Sequence, residues 1–511
     1  MTATMLLKLP IVVSLLALLL VVLLQIRRRR VSLDQEGNTA GAQPRPTVKP
    51  WLIAPVLLVL MVALFIPFLL GRSPGQDAAS NGENLGPGIY ARYQGRIYMY
   101  IAGQGEYLVP GADAASFGPF HGHELDSRNI GRDRSAVYCG SQAIAQLRPE
   151  QVRFVSHSYV SDGSRAWYCS WEKANPAYHW WQDFLNSSDE DNPAKPRWKD
   201  YMLVPLTPVN AASLKTLAVA YAQDGVHAYY EGRLIPGADG ASLQTVNVKF
   251  GLGDSRERAD TYYARDDRHV YFKGARLPQA HPATFFAFSP DGDQWNTRYG
   301  QDKATGQFYS GATPFPAKVN GEDSGALRLL IADRDRVNHE IFYNASGVWF
   351  WDYQDHALKR GCMNPFDGPL TSLSSGIWTD SRNTFITRAV DDWRNGRSDK
   401  SLAARKTQLW MLPGAQWTRV ADLPGRNGEA QGTLWKEGTQ LYFAPRAGQS
   451  YFLNDALYLV KNVEGLKRDL LTEQYYVTIF KSSDVEQLDS SDSTIVCRMS
   501  SDYPPMWEFW K

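Results

Sequence analysis

Tyr221-Ala222-Gln223-Asp224-Gly225-Val226-His227-Ala228-Tyr229-Tyr230-Glu231-Gly232 returns 42 residues later as Tyr263-Ala264-Arg265-Asp266-Asp267-Arg268-His269-Val270-Tyr271-Phe272-Lys273-Gly274. Each copy closes on a proline phrase, Ile235-Pro236-Gly237-Ala238-Asp239-Gly240-Ala241-Ser242-Leu243 in the first and Leu277-Pro278 with Ala283-Thr284-Phe285 in the second. Over these 23 gap-free positions 9 are identical. A repeat of this size is one supersecondary unit, which buries its apolar face only by stacking on neighbours. The fold is therefore expected to be a mainly β array of such units.

The residue types assign parts to the phrase. The Asp opens a turn whose carboxylate can accept backbone N–H groups of the next residues. Tyr-Ala-x before it and the aromatic pair after it form the strands of a hairpin, with rings paired across the ladder. The Gly opens a second turn, and the Pro-containing phrase cannot continue a central strand.

Divergent copies extend the array. Val109-Pro110-Gly111-Ala112-Asp113-Ala114-Ala115-Ser116-Phe117 repeats the closing half. Turn aspartates ahead of aromatic runs are read at Asp133, Asp162, Asp224, Asp266, Asp302, Asp335 and Asp380. The long gap between Asp162 and Asp224 is read as one unit with an insertion at about 175–208, rich in Trp, Pro and acid. Seven or eight units of this length match a propeller-like ring, with an open hairpin or solenoid array as the alternative. The repeat domain is expected over 90–467, followed by a capping segment over 468–511.

The phrase resembles the DKNYY family of bacterial repeat proteins, named for an Asp-Lys-Asn-Tyr-Tyr core followed by a Gly turn and a Pro-Gly-Ala-Asp-like phrase. The match is good at Asp224 to Leu243, Asp266 to Phe285 and Val109 to Phe117. Gly225 and Asp267 stand where the family usually has a basic residue. The resemblance implies an envelope-associated bacterial protein and carries over no catalytic residue.

Leu9 to Ile26 and Trp51 to Leu70 are runs of 18 and 20 residues without a charge, each long enough to cross a bilayer. Arg27-Arg28-Arg29-Arg30 follows the first run as a stop-transfer flank without a small-residue cleavage site. The basic linker 27–50 is placed in the cytoplasm by the positive-inside rule, with both termini outside. The chain is thus read as a multi-pass protein of the bacterial cytoplasmic (inner) membrane with a large extracytoplasmic domain. Residues 72–89, rich in Gly, Ser, Asn and Pro, are read as a flexible tether.

Cysteine usage fits that compartment. All four cysteines, Cys139, Cys169, Cys362 and Cys497, lie beyond the expected membrane segments. Four cysteines allow three connectivities. Cys139 and Cys169 end similar phrases in neighbouring units and are paired on that ground, leaving Cys362 with Cys497. The alternative is free buried thiols. Counted from their turn aspartates the first two fall one residue out of step, which puts them on opposite faces unless a bulge intervenes.

Net charge is +5 over the first 71 residues and −4 over the rest, which argues against a nucleic-acid binder. No Gly-rich phosphate loop, nucleophile elbow or Cys-x-x-Cys pair is present. His227 and His269 share one repeat position and are read as structural, and His121-Gly122-His123 lacks an evident third ligand. No cofactor or metal is expected. The insertion carries Trp180-Trp181 beside an acidic loop, an expected contact for an envelope protein or a glycan. Trp349 and Trp351 alternate in one strand and are expected in the core.

The expected function is non-enzymatic binding or scaffolding in a bacterial envelope. The alternative is a cell-wall or glycan-acting enzyme that uses channel carboxylates and tryptophan platforms.

Overall fold

A computed structural model of the chain describes residues 74–503 apart from 87, 121–127, 157, 180–196, 219, 251–256, 290–298, 333–336, 375, 396–399, 446–456, 473–477, 480–481 and 489–492. The expected membrane segments 9–26 and 51–70, the linker 27–50, Trp180, Trp181, Asp335, His121 and His123 lie outside the described residues. Among the described residues no helix is long and apolar enough to cross a membrane.

The chain is mainly β, built from many small antiparallel sheets. Four-stranded meanders with strands in sequential order cover 83–108, 118–143, 153–205, 215–234, 244–276, 285–314, 328–362 and 371–413, and a further one opens at Trp417. The fifth and sixth share one sheet, joined by their parallel first strands. Two compact units are distinguished, Met1–Pro205 and Leu206–Lys511.

The repeated phrase forms the middle of a meander. In the fourth, Tyr221 lies opposite Tyr230, Ala222 opposite Tyr229 and Gln223 opposite Ala228. In the fifth, Tyr263, Ala264 and Arg265 lie opposite Phe272, Tyr271 and Val270. Their outer rings pair at 4.9 Å (Tyr221–Tyr230) and 4.8 Å (Tyr263–Phe272). The third and fourth strands are joined by two-residue turns with both central residues at positive φ, Glu231-Gly232 at 48° and 76° and Lys273-Gly274 at 50° and 77°. That is the type I′ geometry that matches strand twist, and it explains the glycine of the phrase.

Four details differ from expectation. Pro74–Asn81, inside the expected tether, is a helix that buries Ala78, and Glu83–Asn84 pairs with the next strand. A helix with an apolar anchor cannot serve as a flexible tether, so that reading is corrected for 74–84. The insertion is shorter than 175–208, because Lys199–Pro205 is the fourth strand of its meander, paired with Ala166–Ala174. The hairpin between Ile341–Tyr343 and Val348–Asp352 is opened by Asn344, a turn residue not among the expected aspartates. In the capping segment, Thr494–Asp502 adds a fifth strand beside Lys400–Pro413, and the helix Val463–Leu470 begins just ahead of it, capped by Asn462.

Cys139 is bonded to Cys169 and Cys362 to Cys497, with Cα separations of 5.7 and 5.4 Å. The one-residue offset of the first pair is what stacking requires. Two sheets stacked face to face present opposite faces of equivalent strands to each other, so a bridging pair must sit out of step. Both cysteines are fully buried in one apolar cluster shared by the first three meanders.

Candidate functional site

The turn aspartates are the most repeated polar element, and Asp133, Asp162, Asp224, Asp266, Asp302 and Asp380 are all buried. Asp224 accepts from the N–H of Val226 (3.0 Å) and His227 (2.7 Å) through Oδ1. Its Oδ2 accepts from the N–H of Asn210 (2.7 Å) and the hydroxyl of Tyr229 (3.0 Å). Asp266 repeats the pattern with Arg268 and His269 on Oδ1, and Asp239 (3.0 Å) and Tyr271 (2.7 Å) on Oδ2. Asp133 does so with Ser135, Ala136, Asp113 (2.8 Å) and Tyr138 (2.9 Å). One oxygen closes the turn. The other clamps the proline phrase that leads into the same meander.

The same clamp holds Arg148 on Asp162, His281 on Asp302 and Asp367 on Asp380. Asp113, Asp239 and His281 belong to the closing phrases read in the sequence, so the phrase that ends one repeat is the lock of the next. Burial would raise these carboxyls, but the donated hydrogen bonds outweigh it and hold Asp133 and Asp162 at about 2, with Asp224, Asp266 and Asp302 also below the ordinary carboxylate range. Burial, and then the facing carboxylate, push the partner tyrosines Tyr138, Tyr229 and Tyr271 well up.

A second staple runs forward. Three residues before the turn Asp, Tyr221 donates to the Tyr262 carbonyl (2.8 Å) and Tyr263 to the Gly311 carbonyl (2.8 Å). Tyr299 donates to Glu340 (2.8 Å) in the next repeat. His227 sets Nδ1 at 3.1 Å from Asp224, while Nδ1 of His269 lies 3.8 Å from Asp266. Both repeat histidines therefore sit against the turn carboxylate of their own repeat. Among the described residues no group of three or more His, Cys, Asp or Glu is placed to hold a metal.

One constellation resembles catalytic machinery and was missed by local sequence reading. His339 sets Nε2 at 3.0 Å from Ser501 Oγ and Nδ1 at 3.0 Å from Thr407 Oγ1, and Ser501 donates to Asp352 Oδ1 at 2.8 Å. A hydrolytic triad needs the acid on the histidine and the serine proton directed at the imidazole. Here the serine proton goes to the acid, so Nε2 carries the hydrogen and Thr407 donates to Nδ1. Thr407 in turn accepts the Asn338 N–H at 3.0 Å. All four side chains are at most 1 % exposed. The network is a polar rivet between Val348–Asp352 and the paired strands Lys400–Pro413 and Thr494–Asp502.

Trp349 and Trp351 are buried, and the Trp349 indole donates to Asn344 at 3.0 Å. Other large side chains remain in solvent. Trp171 is 42 % and Trp198 50 % exposed. Trp171 lies in Ala166–Ala174 at a register shift between Cys169 and Glu172, and Trp198 directly precedes the paired strand Lys199–Pro205, so both indoles belong to this ribbon. One face of the ribbon carries the opposed pair Tyr201, buried over Gly140, and Glu172, which accepts from Ala102 N–H at 3.0 Å. The ribbon is thus fastened through Tyr201 and Glu172 and carries two solvent-exposed indoles. Residues 180–196, with Trp180 and Trp181, are inserted between its strands.

The DKNYY family model matches residues 90–255, the stretch from the first Tyr-rich strand through the first full copy of the phrase. The resemblance read from Asp224 to Leu243 is shown over that segment. No curated protein and no solved structure matches the chain.

Proposed function

We propose that this chain is a membrane-anchored, non-enzymatic binding or scaffold protein, presented outside the cytoplasmic membrane of a bacterial envelope. The observation that carries this reading is the division of labour among its side chains. The polar groups at repeat positions hold neighbouring elements together, whereas Trp171 and Trp198 of one fastened ribbon stay in solvent. Large indoles on a rigid β-ribbon suit recognition, because they bring contact area at small entropy cost. Two disulfides support an oxidising compartment. The propeller-like closure belongs to the same proposal, supported by four-stranded meanders of the kind that make propeller blades.

The test is crosslinking and affinity purification of the full-length protein from solubilised membranes. A Trp171→Ala/Trp198→Ala variant and a Trp180→Ala/Trp181→Ala variant run alongside. The expected result is a stoichiometric envelope component that either variant loses. Recovery of the same component by both variants, or of the bare chain by all three, would remove the ribbon as the contact.

A further inference from the structure

The fifth and sixth meanders join through parallel first strands, Gln244–Phe250 and Phe285–Ser289, but their register begins only at Val248 opposite Ala287. Ahead of that point the strands are not paired with each other. The first also breaks step with its other neighbour between Thr245 and Asn247. The divergence opens a cleft of about 220 Å³ lined by Gln244, Asn247, Arg265 and Phe286 among others. Among the described residues no carboxylate lines it.

Arg265 carries the chemistry. It lies opposite Gln244 in the ladder, and its Nη1 donates to the Pro282 carbonyl at 2.5 Å. Its Nε is buried without a hydrogen-bond partner. A guanidinium offers five N–H donors in a planar fork, and a buried donor left unmade is costly. Two acids of the same meanders have their oxygens occupied by other donors. Asp266 is occupied by Asp239, Arg268, His269 and Tyr271, and Asp302 by His281, Thr284 and Ala304. A second cation, Lys303, stands 4.8 Å over the Phe286 ring. The site therefore combines a guanidinium N–H without an acceptor, two exposed side-chain amides that can both donate and accept, and one aromatic wall.

We propose that this cleft binds a hydroxylated organic acid of monosaccharide size, with its carboxylate on Arg265. A guanidinium takes a carboxylate through paired N–H donors, which would satisfy the idle Nε. Gln244 and Asn247 suit hydroxyl groups, and the volume admits one sugar ring rather than a chain. The inference does not rest on the tryptophan ribbon.

The experiment is calorimetric titration of the solubilised full-length protein with glucuronate, with glucose as the neutral control. Arg265→Gln and Gln244→Ala/Asn247→Ala variants are titrated in parallel, their folding checked by thermal midpoint. Glucuronate is expected to bind the wild type, at least tenfold more weakly to Arg265→Gln, several-fold more weakly to the amide variant, and glucose not measurably. Should Arg265→Gln fail to fold, the amide variant and the glucose control decide the matter. Absence of glucuronate binding at millimolar concentration, equal binding of glucose, or undiminished binding by the variants would overturn the proposal.

Discussion

Asn344 isolates what the turn carboxylate does elsewhere. Its Oδ1 accepts from Ser346 (3.0 Å) and Gly347 (3.1 Å), as the aspartates do, but its Nδ2 donates to the carbonyls of Asp323 (3.1 Å) and Gly325 (3.0 Å). At Asp224 the preceding loop offers an N–H; at Asn344 it offers C=O. The amide matches the reversed polarity. Asn344→Asp, although it restores the common residue, is therefore expected to destabilise by about 1–3 kcal/mol, since a carboxylate would face two carbonyls. Asp224→Asn is expected to lose a similar amount by setting an NH₂ against the Asn210 N–H. Urea unfolding midpoints of the two variants check both, and neutrality of either would break the polarity rule.

Acid stability belongs to the same residues. Their carboxyls are depressed in the folded state, so the unfolded chain binds protons first as pH falls. Their contribution is complete above the unfolded carboxylate range near pH 4 and is lost progressively down to about pH 2, where Asp133 and Asp162 titrate. The thermal midpoint is expected to be insensitive to these groups from pH 5 to 7 and to fall steeply below pH 4. A flat profile down to pH 2 would contradict the clamp.

At the scale of the element, three meanders match the residue that ends the closing phrase to the residue two before the turn Asp. Phe117 covers Gly131, where an added Cβ would lie 2.4 Å from the ring. Phe285 likewise covers Gly300, at 2.1 Å. Leu243, with one smaller side chain, shares a cluster with Ala264. Gly131→Ala is expected to cost about 1–3 kcal/mol by overpacking. Phe117→Leu in that background should recover part of the loss, giving a coupling of about 1 kcal/mol in a double-mutant cycle. Strict additivity of the two substitutions would contradict the pairing.

The same scale shows what was legible in the chain. The hairpin of Tyr221 to Tyr230 was, because alternation, turn residue and glycine all lie within 12 residues. Asn344 was not, because the search followed Asp; its signal is the aromatic five residues on, Trp349, at the spacing of Tyr229 from Asp224. Asn210-Ala211-Ala212-Ser213-Leu214 is a further closing phrase, hidden by Asn in place of Asp and by the assignment of 199–208 to the insertion. The His339, Asp352, Thr407 and Ser501 rivet has no local pattern at all, because strand pairing between 400–413 and 494–502 brings its parts together. The exposed Trp171 and Trp198 needed the ribbon's register, which a bulge between Cys169 and Glu172 obscures in the sequence.

At the scale of the whole molecule, staples of two kinds make stability local. The carboxylate clamp ties the hairpin turns of Asp133, Asp162, Asp224, Asp266, Asp302 and Asp380 to the phrase before them, and the staples of Tyr221, Tyr263 and Tyr299 tie a repeat to the one after it. Such arrays sum nearest-neighbour terms, so surface loops and clefts can vary without loss of the frame. That freedom suits a scaffold whose contacts lie on one ribbon and in one cleft. Two cross-links spanning 30 and 135 residues then constrain the chain where oxidation is permitted.

The most direct test of the account is the redox state of the four cysteines in the living cell. The full-length chain, with its N-terminal segments, is expressed in a bacterium, acid-quenched, denatured and treated with polyethylene-glycol maleimide before and after reduction. An extracytoplasmic domain predicts no adduct before reduction and four after it. Adducts on the unreduced chain would place the domain in a reducing compartment and contradict the account.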